Sequence, residues 1–278
     1  MTLQDNQLLV DAGVWWDDVV TTAIANDLWG TELMSEIPGS LGAALFINIT
    51  AYGQSIGPLV EWVEVWDNKK QVIKKYERTE LQWSYKSSLF QQANHADEVI
   101  LRACLQLHYS RQDEVIYQKA LDVAKELNLT TTTLADRRKI IVEARHRAGS
   151  LWSPTDKNNR TAGSFFRNTI VGHEKALAIA SYDESGKTTE QIMKMNKVHG
   201  GNETRVSAAH VMLAAGFFRG QKFGTHVKLH DQNLLKIEAL QGATAKDIHD
   251  AMTLIQNTVK KKLDVDLQAE AQILGDFE

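Results

Sequence analysis

The sequence predicts an α+β protein built as two lobes. Three observations carry that expectation. Apolar segments with strand character dominate the N-terminal half, helical periodicity takes over from Glu114, and a polar stretch with a proline, Gly149 to Thr161, precedes a mixed C-terminal part. The length, 278 residues, is that of about two domains.

Each element follows from a local pattern. Leu8 to Ala12 is short and apolar and stops at Gly13. Asp17 and Asp18 open a helix whose apolar side is Val19, Val20, Ala23, Ile24 and Leu28. Pro38-Gly39-Ser40 and Gly42 break the chain. Leu45–Tyr52, Leu59–Trp66 and Val99–His108 read as strands. Glu114–Leu127 carries Val115, Ala120, Val123 and Leu127 on one helical face, and Leu134–Ala148 is a second, arginine-rich helix. Ser207–Phe218 is helical and Val227–Ile237 reads as a strand. Thr244–Leu263 is the clearest amphipathic helix, with Ile248, Met252, Ile255 and Val259 on one stripe. Asp247 in its first turn and Lys260–Lys262 in its last suit the helix dipole. Val265–Leu274 alternates like a closing strand.

Composition narrows the function classes. With 43% hydrophobic and 24% charged residues, the chain is neither disordered nor collagen-like. Thirty-one basic against 35 acidic residues give a net charge of −4, no general reason to expect a nucleic-acid partner. The one cysteine, Cys104, lies in an apolar run and reads as a small buried hydrophobe. No stretch approaches about 18 apolar residues, and the first residues lack a signal peptide's basic and apolar regions, so no membrane partner and a cytoplasmic location are expected. Phosphate-loop, dinucleotide-loop, nucleophile-elbow and paired-cysteine motifs are absent from the sequence. His226 and His230 lie four apart in a strand-like segment without a third ligand, so no metal site is expected.

Three segments ask for more than packing. Pro38–Ala44, continuing through Asn48-Ile49-Thr50-Ala51-Tyr52-Gly53, clusters small residues that let backbone approach a flat ligand; composition alone favours a tight turn. Ala162–Asn168 sets Ser164 between a glycine and two phenylalanines, beside Arg167 and Asn168, as a poised hydroxyl. Leu267–Ile273 places Glu270 in an alternating segment, on a face the periodicity leaves open.

Together these segments resemble the UDP-N-acetylenolpyruvoylglucosamine reductase (UDP-N-acetylmuramate dehydrogenase) family, flavin enzymes of peptidoglycan precursor synthesis. Pro38 to Gly53 is similar to the family's Pro-Gly, Gly-Ala, Asn-Ile, Ala-Tyr-Gly pattern, in order and spacing. Val10-Asp11-Ala12-Gly13 with Trp16 resembles its Val-Gly-Ala-Gly-x-x-Trp segment. Tyr85–Phe90 resembles its Tyr-Arg-x-Ser-x-Phe motif, Ala162–Asn168 its Asn-Ala-Gly-Ser-Phe-Phe-Lys-Asn motif, Ala208–Gly220 its later helix and closing glycine, and Leu267–Gly275 its Leu-x-Pro-Glu-Val end. The matches are colinear from about residue 8 to residue 275.

The resemblance implies a flavin-binding domain of the vanillyl-alcohol-oxidase/PCMH type over 1–156, completed by 263–278, and a substrate domain over 157–262. It implies FAD and NADPH as cofactors and UDP-N-acetylglucosamine enolpyruvate as substrate. Ser164 would donate the proton; Glu270 and Lys86 would steady the developing enolate. Ser40, Asn48, Ile49 and Gly53 would line the flavin, and Tyr117 and Asn168 would contact the sugar nucleotide. The chain departs from the family pattern at several of these points. Lys86 stands for arginine, keeping the charge without the planar fork. Thr161 stands for asparagine, Ala269 for proline, Leu45 and Thr50 for a proline and a glycine, and Ser150 for a phosphate-binding lysine that Arg147, Lys157 or Arg160 would replace. Residues 1–13 contain no counterpart of the family's Gly-x-Gly-Ser-Asn loop for the FAD pyrophosphate. The expectation is a truncated flavin domain that binds FAD poorly and leaves the chain inactive as written. The alternatives are a non-catalytic UDP-sugar-binding or scaffold relative, and an unrelated two-lobe protein.

Overall fold

The computed structural model describes residues 1–151, 160–182, 190, 192 and 204–277. They fall into two units, Met1–His146 and Arg147–Glu278. The expected boundary at 156/157 and Pro154 lie outside the described residues.

The first unit begins with β1 (Thr2–Gln4), β2 (Gln7–Asp11) and helix α1 (Trp16–Ala25). Helix α2 (Leu41–Phe46) and the small hairpin β3 (Thr50–Ala51) and β4 (Gln54–Ser55) follow. Strands β5 (Val60–Asp67), β6 (Val72–Glu77) and β7 (Glu98–Gln106) precede helices α3 (Gln118–Glu126) and α4 (Leu134–Arg147). The antiparallel sheet has the order β1-β2-β7-β5-β6. Its inner side chains, among them Leu8, Val10, Val63, Val65 and Ala103, bury against Trp16, Val19, Val20, Leu41 and Leu45 of α1 and α2. Cys104 is buried as expected, and burial pushes its thiol pKa up. A second small core joins Leu33 and Val115 to α3 and α4 through Ala120, Val123, Ile140, Ile141 and Ala144.

The second unit comprises β8 (Thr169–Ile170), α5 (His173–Ala180), β9 (Arg205–Val206), α6 (Ala208–Ala214), β10 (Lys222–Phe223), β11 (Val227–Leu229), β12 (Ile237–Ala239) and α7 (Ala245–Leu263). Helix α7 starts at the expected Thr244 cap. The Thr244 hydroxyl accepts from the Asp247 amide and Asp247 accepts from the Thr244 amide, a reciprocal capping box. Ala251, Met252, Ile255 and Val259 on its inner stripe join Phe165, Phe166, Val206, Val211, Met212 and Leu229 in one core.

Four expectations change. The apolar run Leu45–Tyr52 is not a strand: Leu41, Ala44 and Leu45 share the buried face of α2, Ser40 caps it, and Asn48 turns the chain with φ 47°. A short apolar run satisfies both periodicities, and the cap decides between them. Val227–Ile237 is two antiparallel strands joined by a turn. Helix α3 begins at Gln118, after Tyr117, and not at Glu114. The closing segment forms only an isolated bridge, Ala269 to Phe166. Val265 and Leu267 are buried in the second core, and they fall within the second unit.

Candidate active site

In the first unit two of the singled-out segments lie side by side. The Trp16 amide donates to the Gly39 carbonyl (2.8 Å), the Leu41 amide to Val14 (2.8 Å) and the Gly42 amide to Ala12 (2.9 Å). A Cβ at Gly42 would come within 3.1 Å of the Ala12 Cβ, so the two segments pack closely there and a side chain would press on Ala12. Gly13 has open space where a side chain would stand, and Gly39, with φ 126°, has its nearest atom at 3.9 Å. Ser40 caps α2, its hydroxyl accepting from the Ala43 amide at 3.4 Å. The result is a surface of small residues and backbone beside Ser40.

Asn48 is the hub that joins this surface to the Lys86 turn. It is buried; its Nδ2 donates to the Ser84 carbonyl (2.6 Å) and its Oδ1 accepts from the Gly57 amide (3.0 Å). Ser88 Oγ and Gln91 Nε2 both donate to the Phe46 carbonyl, at 2.6 and 2.8 Å. Ser84 and Ser87 exchange backbone bonds of 3.1 Å, closing a tight turn with Lys86 at φ 54°. Glycine or asparagine is the ordinary occupant of such a position, and a lysine there stores about 1 kcal/mol. Ile49, 4% exposed, belongs to the core. The Asn48 and Ile49 side chains therefore serve the fold, and their backbone amides donate within the same segment, to the Leu45 and Ala44 carbonyls.

Gly53, with φ 98°, faces Ile116, and the preceding Tyr52 meets Tyr117 edge to face with ring centroids 5.5 Å apart. Burial raises both phenol pKa values, so both tyrosines remain hydroxyl donors at neutral pH. Arg145 stands near Tyr52, and burial lowers its pKa. Beneath the β3–β4 hairpin, Glu32 and Arg137 form a fully buried pair at 2.7 Å. Gln54 Nε2 donates to Glu32 (3.0 Å) and to Asp113 (3.1 Å), and its Oε1 accepts from the Leu33 amide (2.8 Å). Arg137 also donates to the carbonyls of Thr131 and Asp113, at 2.7 and 2.6 Å. This network holds the hairpin that carries Tyr52 and Gly53 and was not anticipated from sequence. Its available signal was arginine at two positions, 137 and 145, of the buried stripe that includes Ile141 and Ala144.

In the second unit backbone pairing joins the two segments that carry Ser164 and Glu270. The Glu270 amide donates to the Phe165 carbonyl (2.8 Å) and the Arg167 amide to Gln268 (2.9 Å), on either side of the Phe166–Ala269 bridge. Phe165 and Phe166 are buried, which anchors the strand and leaves Ser164 exposed beside them. Asn168 Oδ1 accepts from the Ala208 amide at 3.1 Å, satisfying a donor in the first turn of α6. Among the described residues no group of three or more His, Cys, Asp and Glu side chains could hold a metal ion.

A flavin needs a flat apolar approach to backbone. Gly13 and Gly39 lack the Cβ that would obstruct it at the surface beside Ser40, and Gly53 lacks it at the β3–β4 hairpin. The residues around Ser40 and Gly53 fit that group.

Residues 153–274 match the family model for the UDP-N-acetylenolpyruvoylglucosamine reductase C-terminal domain. A UDP-N-acetylenolpyruvoylglucosamine reductase of Mycobacterium leprae (strain Br4923) is 26% identical over 283 residues, covering 99% of this chain and 74% of the relative. Reductase 2 of Corynebacterium glutamicum (strain ATCC 13032) is 29% identical over 282 residues with the same coverage. The crystal structure of the reductase from Thermus caldophilus shares the fold, with a TM-score of 0.58 at 19% identity over 97% of this chain and 73% of that one. The domain match on residues 153–274 and the near full-length similarity agree with the colinear motifs: the C-terminal part matches the UDP-N-acetylenolpyruvoylglucosamine reductase C-terminal domain, and the chain as a whole is similar to these reductases.

Proposed function

We propose that the chain reduces the enolpyruvyl ether of UDP-N-acetylglucosamine to UDP-N-acetylmuramate, with NADPH as reductant and FAD as carrier. The observation that supports this reading is the exposed Ser164, beside two buried phenylalanines, in a segment whose backbone pairs with the segment that carries Glu270. When bound, FAD supplies hydride transfer from NADPH to one carbon of the substrate double bond. Ser164 Oγ delivers the proton to the other carbon, which bears the carboxylate, and its exposure lets water restore that proton. Glu270 and Lys86 steady charge that develops on the carboxylate, Lys86 as a compact point charge. Tyr117, with its hydroxyl protonated, and the Asn168 amide group, whose oxygen is taken by Ala208, bind the sugar nucleotide. Ser40, Asn48, Ile49 and Gly53 line the flavin.

The test supplies FAD and NADPH to the chain and follows NADPH oxidation on adding the enolpyruvyl substrate. Substrate-dependent oxidation that is absent without added FAD and rises with it, as a weakly held cofactor requires, is expected; its absence at saturating FAD would contradict the reading. Lysine at position 86 favours one second reading, a UDP-sugar-binding protein without turnover. Calorimetric binding of the substrate with no NADPH oxidation would establish that alternative.

A further inference from the structure

The five-stranded sheet buries one face against α1 and α2, and its other face carries an ordered pattern. Register sets three rows across β2, β7, β5 and β6. The first is Leu9, Cys104, Trp62 and Glu77. The second is Asp11, Arg102, Glu64 and Lys75. The third, which starts at β7, is Val99, Trp66 and Ile73. Val99 is 56% and Ile73 61% exposed, and Leu101, beside the β-bulge, adds a further apolar side chain. An antiparallel sheet with one solvated face ordinarily presents polar residues on it. Two tryptophans with valine and isoleucine instead resemble the centre of a protein interface.

The middle row alternates acid, base, acid, base. Arg102 Nε pairs with Glu64 at 2.6 Å, and Lys75 lies over the Trp62 ring at 4.7 Å. A two-fold axis lying in this face, parallel to the strands and midway between β7 and β5, reverses the row. Asp11 of one copy then faces Lys75 of the other, Arg102 faces Glu64, and Val99 faces Trp66. A two-fold axis across the strands would set each charge against its own kind. The pattern is therefore self-complementary for one way of stacking sheet on sheet, the aligned packing in which sheets lie about 10 Å apart. We propose that this face is the interface of a symmetric dimer, with a second copy of this chain as its occupant. It includes none of the residues of the candidate active site, so the inference stands apart from the catalytic reading.

Sedimentation equilibrium of the full chain tests it. A concentration-dependent monomer–dimer equilibrium is expected. Arg102→Glu sets acid against acid in the interface and should raise the dissociation constant about a hundredfold. The double variant Arg102→Glu with Glu64→Arg keeps opposite charges facing across the axis and should recover most of the loss. Val99→Lys, at an exposed position that leaves the monomer's circular dichroism unchanged, should abolish the dimer. A monomer at every concentration, an open series of larger species, or a dimer that Arg102→Glu and Val99→Lys leave intact would overturn the proposal.

Discussion

The two units hold their candidate site residues by different means. In the first, side chains do the holding: Asn48 ties the segment after α2 to the Lys86 turn, Ser88 and Gln91 secure the Phe46 carbonyl, and Glu32, Gln54 and Arg137 support the Tyr52–Gly53 hairpin. In the second, backbone does most of it: Glu270 to Phe165, Arg167 to Gln268 and Phe165 to Leu235, with one carboxamide on Ala208. The difference separates fold from chemistry. A motif in the first unit is conspicuous partly because its side chains are structural, whereas the segments that carry Ser164 and Glu270 are joined through their main chain.

Substitutions should expose that contrast. Arg137→Ala leaves Glu32 charged, buried and without its ion-pair partner, and should cost the first unit about 3–5 kcal/mol in urea unfolding. Hydrogen exchange in α7 of the second unit should remain unchanged. Asn48→Ala strands the buried Gly57 amide and releases the Ser84 carbonyl, an expected loss of about 2 kcal/mol. Asn168→Ala removes one acceptor from the start of α6 and should cost about 1 kcal/mol. At the small end, Ser164→Ala should change stability by less than about 0.5 kcal/mol, since its side chain is exposed.

Acid supplies a further test of the first unit. The Lys74 ammonium, with the Lys70 and Lys69 amides, holds the Asp67 carboxyl at about 2, below its ordinary 3.8. Burial alone would raise the Glu98 pKa, but Lys74, His95 and Tyr76 bring it below its ordinary value. Both pKa values are depressed by folding, so the stabilisation is complete above the unfolded carboxylate range and is lost as pH falls through the folded values. The melting temperature should therefore drop between pH about 4 and about 2, and Lys74→Met should flatten that dependence.

Long, well-capped elements were legible in the sequence. Helix α7 announces itself through Thr244, Asp247 and its apolar stripe, and β5 and β7 through their β-branched content. Edge strand β6 was not legible, because Lys74, Lys75 and Glu77 interrupt its pattern and its partner lies across a turn. Helix α2 was ambiguous because its run is too short for periodicity to decide. Of the candidate site, Ser164 and Glu270 stood out through the order of their motifs, and the pairing of their two segments is one that no local pattern encodes. Glu32, Gln54 and Arg137 escaped because a buried ion pair between residues 105 positions apart is a tertiary fact.

The most direct test of the account is rapid-mixing kinetics of Ser164→Ala supplied with FAD. Flavin reduction by NADPH should proceed at the unsubstituted rate, while reoxidation of the flavin by the enolpyruvyl substrate should slow by about a hundredfold or more. Reoxidation at the unsubstituted rate would contradict the assignment of Ser164 as proton donor.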